Sequence, residues 1–228
     1  MINQILSLGQ RLEAQPLFSN QASLAPPSIH ERRPFVIRPV SKEGWENGDG
    51  SDRRATHKTA YANYLYIKRR DGCDLLGPLP RFSERDDLID EGLAVPYSAP
   101  RWTTEPGRIW REVDAKLKGE RNDSISARHI VLTLPRHLSR EDWRRLVEGY
   151  LERHFTNRGM IVDWAIHARP GMGTGWLTPP HAHLLATARG WRHDRRQGLL
   201  HPVWFRGDAA RRRAEQAWLR MSGLTVPS

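Results

Sequence analysis

The sequence lacks several features that would commit a chain to a particular class of protein. It has one cysteine, Cys73, among 228 residues, so neither an internal disulfide nor a cysteine-based metal cluster can form. No apolar run approaches the ~20 residues that cross a bilayer. The first residues lack the basic start and the small-residue cleavage site of a secretory signal. These absences predict a cytoplasmic protein without membrane insertion.

Positive charge is what the chain has in excess. Lysine and arginine together number 36, against 26 acidic residues, which gives a net charge of +10 with histidine neutral. Such a surface attracts polyanions, because binding releases the counterions condensed on a nucleic acid. Apolar residues make up 38% of the chain, which is enough for a globular core. Nucleic acid is therefore a favoured partner, although charge alone does not identify it.

Prolines and hydrophobic spacing divide the chain into segments. Residues 1–33 are interrupted by Pro16 and Pro26 and are expected to form a partly flexible N-terminal extension, ahead of one domain over residues 34–228. A long loop is expected over residues 71–104. Strands are predicted at residues 35–38, 128–134, 160–167 and 181–187, and helices at residues 56–69, around residues 109–117, after Ser139 and after Asp208. This mixture, without a regular βαβ alternation, predicts an α+β fold with an antiparallel sheet.

Three histidines fall where two neighbouring strands would bring them together. His181 and His183 are two residues apart on one predicted strand, so both imidazoles project from the same face. His167 ends the preceding strand, and pairing of these strands would return His181 to its side. Three imidazoles with open coordination positions suit a catalytic metal, because the substrate must also reach the ion. The spacing therefore predicts a divalent metal site.

The predicted helix over residues 56–69 carries three tyrosines. Tyr61 and Tyr64 share an apolar face by i, i+3 spacing, which suits packing in a core. Tyr66 lies off that face and is followed by three basic residues at 68–70. Nearby cations supply the field that activates a hydroxyl for attack on a phosphodiester. Tyr66 is therefore a candidate nucleophile.

The order of these segments resembles the MobA/MobL-type relaxases of the HUH endonuclease superfamily. The resemblance runs from about residue 35 to residue 204. It is strongest at residues 107–114 and 127–135, and where Asp163-Trp-Ala-Ile-His167 is followed, across a glycine-rich loop, by Pro180-His-Ala-His183. It implies an antiparallel sheet of about five strands flanked by helices, with the H-x-H strand in the centre. It also implies a plasmid mobilisation enzyme that nicks and rejoins single-stranded DNA through a 5′-phosphotyrosine intermediate.

The resemblance also implies roles for particular residues on the strands. His167, His181 and His183 match the family's metal ligands, for magnesium or manganese, with zinc as an alternative. Asp163, four residues before His167 on the same strand face, is expected to orient an imidazole. Relatives often carry an acidic residue where this chain has His129, so the electrostatics next to the metal site are expected to differ.

The family's nucleophile is a tyrosine followed closely by a basic residue and a glycine. Tyr66 fits this pattern best, with Tyr64 and Tyr61 as alternatives. Several cations are expected to bind the DNA strand: Lys68, Arg69, Arg70, Arg189, Arg192, Arg195 and Arg196.

The expected partners are single-stranded DNA at an origin of transfer, relaxosome accessory proteins and a type IV secretion coupling protein. Three alternatives stay open. A replication-initiation nuclease of the same superfamily would use equivalent chemistry at a different DNA site. A metal-dependent phosphoesterase would act through water and leave no protein–DNA adduct. A truncated remnant would bind DNA without turnover.

Overall fold

The computed structural model describes residues 33–46, 57–121, 124–173, 175–191, 199–200 and 208–225. The predicted N-terminal extension lies outside these residues apart from Arg33, so its boundary stays a prediction. Among the described helices, none is both long and apolar enough to span a membrane.

A five-stranded sheet with the strand order β1-β5-β7-β6-β4 forms the centre of the fold, and every neighbouring pair is antiparallel. The predicted α+β fold, with the H-x-H strand β7 in the middle, is confirmed. In chain order the elements are β1 (Phe35–Ser41), α1 (Glu43–Glu46), α2 (Ala60–Ile67), β2 (Cys73–Asp74), β3 (Gly77–Pro78), β4 (Leu88–Ala94), α3 (Arg108–Leu117), β5 (Ile125–Thr133), α4 (Arg140–His154), β6 (Val162–Pro170), β7 (Trp176–Thr187), β8 (Arg189–Gly190), β9 (Leu199–Leu200) and α5 (Asp208–Ser222), with 3-10 helices at Arg101–Thr104 and Thr156–Arg158.

The two edge strands differ from their predictions. The segment predicted as a loop over residues 71–104 contains β4, whose seven residues are all half-buried. Without alternation between buried and exposed positions, this strand gives no period-two signal. At the other edge, β1 continues through Pro39 to Ser41, because an edge strand tolerates a residue that has no backbone N–H to donate.

Helices cover both faces of the sheet. On one face, Trp143 and Tyr150 of α4 and Trp218 of α5 belong to the core cluster. On the opposite face, Leu65 of α2 and Trp110 of α3 pack into a second cluster. The side chains of residues 181, 183 and 185 all point to this second face, because residues two apart on a strand lie on the same side of the sheet. The candidate site therefore lies between the sheet and α2.

The start of α2 is fixed by side chains that accept hydrogen bonds from its first N–H groups. Thr59 Oγ1 accepts from the amide of Ala62 at 3.0 Å. The carboxylate of Asp114, on α3, accepts from the amides of Ala60 and Tyr61 at 2.9 and 2.8 Å. Burial raises the pKa of Asp114 to about 7, and the hydrogen bonds from the two amides act in the opposite direction by lowering it. These contacts satisfy N–H groups that have no partner within the helix.

Strand β4 approaches β6 closely at Gly92. A Cβ atom there would lie 2.5 Å from the indole ring of Trp164, so Gly92→Ala forces the ring or the strand to move. We expect the substitution to lower the free energy of unfolding by about 1–3 kcal/mol in chemical denaturation. At Gly119 a Cβ atom would meet nothing within 4 Å, so Gly119→Ala is the matched control. Equal losses in the two variants would contradict this packing.

Candidate active site

Three buried histidines meet on the face that α2 covers. In the antiparallel register His167 of β6 lies opposite His181 of β7, and His183 follows two residues along β7. The ring centroids are 5.5 Å apart for His167 and His181, and 4.7 and 4.8 Å from each of these to His183. One ring nitrogen from each histidine lies within 4.8 Å of the others. The structure therefore brings together all three residues of the predicted metal site.

Hydrogen bonding to Pro179 orients His181 for a metal. Its Nδ1 lies 2.8 Å from the carbonyl oxygen of Pro179, and because a carbonyl only accepts, Nδ1 carries the proton and Nε2 the lone pair. The Nε2 atoms of His181 and His183 are 3.1 Å apart. Two nitrogens that each bind one ion at the usual distance would be separated by roughly 3 Å. This pair of imidazoles therefore fits a divalent ion.

Both ring nitrogens of His167 have defined partners. Nε2 lies 2.8 Å from the carbonyl oxygen of Ile67 and must donate to it, whereas Nδ1 accepts from Nη2 of Arg69 at 2.8 Å. The guanidinium also donates to both carboxylate oxygens of Asp87, at 2.7 and 2.9 Å. A cationic group thus already faces the lone pair of His167. An ion bound at Nδ1 would replace this hydrogen bond.

His167 and His183 are neutral at physiological pH. Burial lowers the pKa of His167 to about 3, with the positive charge of Arg69 adding to the effect. Burial also lowers the pKa of His183 well below its usual value. Metal binding requires an unprotonated imidazole nitrogen. His167 and His183 can therefore bind a cation without first losing a proton.

A fourth imidazole, that of His129 on β5, is hydrogen-bonded to His183. Its Nε2 lies 2.9 Å from Nδ1 of His183, and the two rings stack at 28°. Burial lowers the pKa of His129 to about 3, so it is a neutral partner at the position where the resemblance leads one to expect an acid. When Nδ1 of His183 donates to His129, the Nε2 lone pair of His183 faces the cluster.

Tyr66 is the tyrosine that contacts the histidine cluster. Its ring centroid lies 5.5 Å from that of His183 and 6.5 Å from that of His129, both in edge-on arrangements. The guanidinium carbons of Arg69 and Arg85 lie 4.8 and 5.4 Å from the ring centroid. Within the described part of the chain, no hydrogen bond engages the Tyr66 hydroxyl. This phenol is thus surrounded by cations and open to a substrate.

Tyr64 and Tyr61 belong to a different environment, against the start of α3. Their rings are 5.8 Å apart, and both are so close to Gly107 that a Cβ atom there would lie within 3 Å of each ring. The Tyr64 hydroxyl accepts from Arg70 at 2.7 Å, and the Tyr61 hydroxyl accepts from Arg111. Burial raises the pKa of Tyr64 to about 12. Both hydroxyls are therefore engaged in hydrogen bonds with arginines.

Two residues for which the sequence suggested roles, Asp163 and Lys68, are paired with each other. Asp163 accepts from Trp110 through one oxygen at 2.7 Å, and its other oxygen lies 3.0 Å from Nζ of Lys68. Both of its oxygens are thus engaged by groups other than an imidazole, and the orienting role of Asp163 stays a prediction. Lys68 is buried and also donates to two backbone carbonyls, and its contact with DNA stays a prediction. The carboxylate linked to His167, through Arg69, is that of Asp87.

The remaining predicted DNA-binding cations fall into three groups. Arg69 is buried against Asp87. Arg70 is exposed but donates to Glu91 at 2.8 Å, and Arg189 lies 3.6 Å from Glu120. The others, for which the DNA contact stays a prediction, lie outside the described residues: Arg192, Arg195 and Arg196.

Three residues around Tyr66 were missed by reasoning from the sequence. Arg85 and Asp87 lie in the segment predicted as a loop, and His57 lies at the start of the segment predicted as a helix. None has a motif or a spacing that would single it out. Only the packing of α2 and of the segment before β4 against the sheet reveals them.

A model of the MobA/MobL family matches residues 53–209. This chain belongs to the MobA/MobL family. The matched region includes the three tyrosines of α2 and all three histidines, so it contains the whole candidate site.

Curated relatives match part of this chain. Conjugal transfer protein TraA of Agrobacterium fabrum (strain C58) is 29% identical over 123 residues, or 50% of this chain and 10% of that protein. TraA of Rhizobium radiobacter is 30% identical over 118 residues, or 47% of this chain and 10% of that protein. The probable mobilization protein MobA of Bifidobacterium longum is 26% identical over 137 residues, or 60% of this chain and 23% of that protein. The matched region is thus a small part of each relative.

A structure from a study of the molecular basis of vancomycin resistance transfer in Staphylococcus aureus superimposes with a TM-score of 0.62. The match has 22% sequence identity and covers 83% of this chain and 90% of that chain. At this identity the likeness concerns the fold, and it supports the α+β architecture described above.

The structural role of Lys68 can be tested by denaturation. Lys68→Met leaves the carboxylate of Asp163 buried without its cation, and we expect it to lower the free energy of unfolding by about 3–5 kcal/mol. The matched control is Arg81→Met, which removes an exposed cation 3.8 Å from Glu84 and should cost less than about 1 kcal/mol. A Lys68→Met variant as stable as the control would contradict the assignment.

Proposed function

We propose that this domain is the nicking and joining domain of a plasmid mobilisation relaxase, acting on single-stranded DNA at an origin of transfer. The observation that carries the proposal is the contact between the Tyr66 ring and His183 of the histidine cluster, while the hydroxyls of Tyr61 and Tyr64 are engaged elsewhere. The names of the relatives, a conjugal transfer protein and a probable mobilization protein, favour this biological setting.

Tyr66 is the proposed nucleophile. Its hydroxyl oxygen attacks the scissile phosphorus in line, and the bond from phosphorus to the 3′ oxygen breaks. The electron pair goes to the 3′ oxygen, which leaves as a hydroxyl, and the 5′ phosphate stays on Tyr66. Because the phosphotyrosine retains an activated phosphoester bond, a 3′ hydroxyl can reverse the step and reseal the strand.

His167, His181 and His183 are the proposed metal ligands. When bound, a divalent ion supplies positive charge at the non-bridging oxygens of the scissile phosphate. Magnesium or manganese is the proposed ion, and zinc is the alternative because imidazole ligands suit it well. The protein adds charge of its own at the same place, since the Arg69 guanidinium lies against both His167 and the Tyr66 ring.

DNA phosphates are proposed to contact Arg85 first. This residue is exposed, lies 5.4 Å from the Tyr66 ring centroid and makes no ion pair among the described residues. Arg189 and the cations at residues 192, 195 and 196 are proposed to extend the contact along the strand. Relaxosome accessory proteins and a type IV secretion coupling protein are the further proposed partners.

Covalent adduct formation tests the nucleophile. A labelled single-stranded oligonucleotide that spans an inverted repeat next to the gene, incubated with manganese, should become linked to the wild-type protein and shift on a denaturing gel. Tyr66→Phe should form no adduct, whereas the matched variant Tyr64→Phe should keep it. An undiminished adduct with Tyr66→Phe contradicts the assignment. Cleavage without an adduct would indicate a phosphoesterase, and binding without cleavage a remnant.

Metal binding can be measured without DNA, by titration of manganese followed by electron paramagnetic resonance. His181→Ala removes a ligand, so manganese binding should fall below detection. His129→Phe removes only the partner of His183 and should weaken binding by about 10–100-fold. His137, which is exposed in a turn, provides the control His137→Ala with unchanged affinity. Equal affinity in all four proteins would refute a metal site at these histidines.

Loss of Arg85 should weaken DNA binding uniformly across sequences. Arg85→Ala removes one phosphate contact, so the slope of log affinity against log salt concentration should decrease in magnitude by about 0.7 for a single strand. Fluorescence anisotropy at several salt concentrations measures this slope. Arg81→Ala, which changes an exposed arginine nearby, should leave it unchanged. An identical slope for both variants would show that Arg85 does not contact the strand.

A further inference from the structure

His57, just before α2, has an environment that the proposed chemistry does not yet explain. Its ring centroid lies 5.0 Å from that of Tyr66 and 5.0 Å from that of Phe82. Its Nε2 atom is buried and has no hydrogen-bond partner in the described part of the chain. Leaving a buried polar atom unpaired costs free energy. A phenylalanine would fill the same aromatic contacts without that cost.

The position of His57 is fixed by the first turn of α2. Its carbonyl oxygen accepts from the side-chain amide of Asn63 at 2.9 Å, and the same amide donates to the carbonyl oxygen of Thr59 at 2.7 Å. Asn63 and Thr59 are fully buried. The imidazole is therefore held beside Tyr66 by the helix that carries the tyrosine.

Three imidazoles contact the Tyr66 ring, and two of them are already engaged. His129 and His183 are hydrogen-bonded to each other, and His183 belongs to the proposed metal site. His57 is the one of the three that keeps an unpartnered ring nitrogen. It is therefore the imidazole next to the phenol that is available to exchange a proton with it.

The charge state of His57 suits a proton acceptor. Burial lowers its pKa to about 4, the positive charges of Arg85 and Arg69 lower it further, and Asp74 opposes them. The ring is thus neutral at physiological pH. A DNA phosphate bound beside Arg85 would offset the two guanidinium charges and raise the pKa of His57, which makes it a stronger base, while burial, the largest cause of the low pKa, keeps the ring neutral at physiological pH.

We propose that His57 accepts the proton of the Tyr66 hydroxyl during DNA nicking, a role that rests on the proposed function of Tyr66 as the nucleophile. The O–H bond of Tyr66 breaks, its proton goes to Nε2 of His57, directly or through one water, and the bond from the tyrosine oxygen to phosphorus forms. The bond from phosphorus to the 3′ oxygen breaks, and that oxygen takes a proton from a solvent water. In resealing, His57 returns its proton to the tyrosine oxygen.

The dependence of adduct formation on pH tests this role. Single-turnover rates would be measured between pH 6 and pH 9 for wild type, His57→Phe and His57→Gln. With His57 already unprotonated, the wild-type rate should change little over this range. Both variants should be about 10²–10⁴-fold slower at pH 7, and their rates should rise about tenfold per pH unit because the phenol must then ionise to solvent. DNA affinity, measured by anisotropy, should be unchanged.

A second measurement examines the hydroxyl in the absence of DNA and metal. A small aryl sulfonyl fluoride reacts with tyrosines that a neighbouring base activates, and peptide mass spectrometry reports labelling at Tyr66. Wild type should be labelled at least tenfold faster than His57→Phe or His57→Gln. The matched control is His137→Phe, which should be labelled like wild type. Circular dichroism verifies that each variant folds, and the glutamine variant serves if the phenylalanine variant does not.

The outcomes separate the two proposals. If His57 variants equal wild type in labelling, or if wild-type Tyr66 is not labelled, the role of His57 is overturned, whereas a Tyr66 adduct with DNA still supports the relaxase. If labelling depends on His57 but wild type forms no adduct with DNA, the proposed function fails and the activation of Tyr66 by His57 stands. Adduct rates that are slower in the variants but keep the flat wild-type pH profile would indicate a packing role and overturn the proposal.

Discussion

The antiparallel register of β6 and β7 is the constraint on which the site depends. It sets His167 opposite His181 and turns His183 toward the same face. A slip of one residue would send the β7 side chains to the face that α4 and α5 cover, where two imidazoles would meet an apolar core. Trp164 of β6 belongs to that core, and a slip of β6 would also turn its side chain to the other face, so packing fixes the register. The arrangement of the histidines is therefore a consequence of packing on the opposite side of the sheet.

The position of α2 over the histidines depends on two buried ion pairs at its end. Lys68 lies 3.0 Å from Asp163, and Arg69 donates to Asp87. Arg69 also adopts the left-handed region, with φ of 51°, which strains a residue other than glycine. The strong contacts of its side chain hold it there. Lys68 and Arg69, which follow the proposed nucleophile Tyr66, thus anchor its helix instead of reaching the solvent.

The surroundings of the histidines favour an anionic substrate. The partners described for the cluster are the carbonyls of Ile67 and Pro179, the guanidinium of Arg69 and the neutral imidazole of His129. His167 and His183 are neutral and Arg69 is paired with Asp87, so Arg85 supplies the positive charge beside Tyr66, where the scissile phosphate is proposed to lie. The proposed metal and the proposed role of His57 both act in this field, in which negative charge on the attacking oxygen and the phosphate is stabilised.

The sequence by itself determined the fold class, the central strands and the histidine cluster, because apolar runs bounded by turn residues and i, i+2 spacing are local properties of the chain. It also favoured Tyr66 over Tyr64, since helical spacing separates a core face from the rest. Only the tertiary structure decided what surrounds these residues. The sequence alone does not distinguish a lysine that pairs with Asp163 from a lysine that binds DNA. Part of the surroundings that bury Lys68 comes from β4, and the half-buried residues of this strand carry no periodic signal. Likewise, the role proposed for His57 depends on its position beside Tyr66. Its burial and the charges around it come from segments that are distant along the chain.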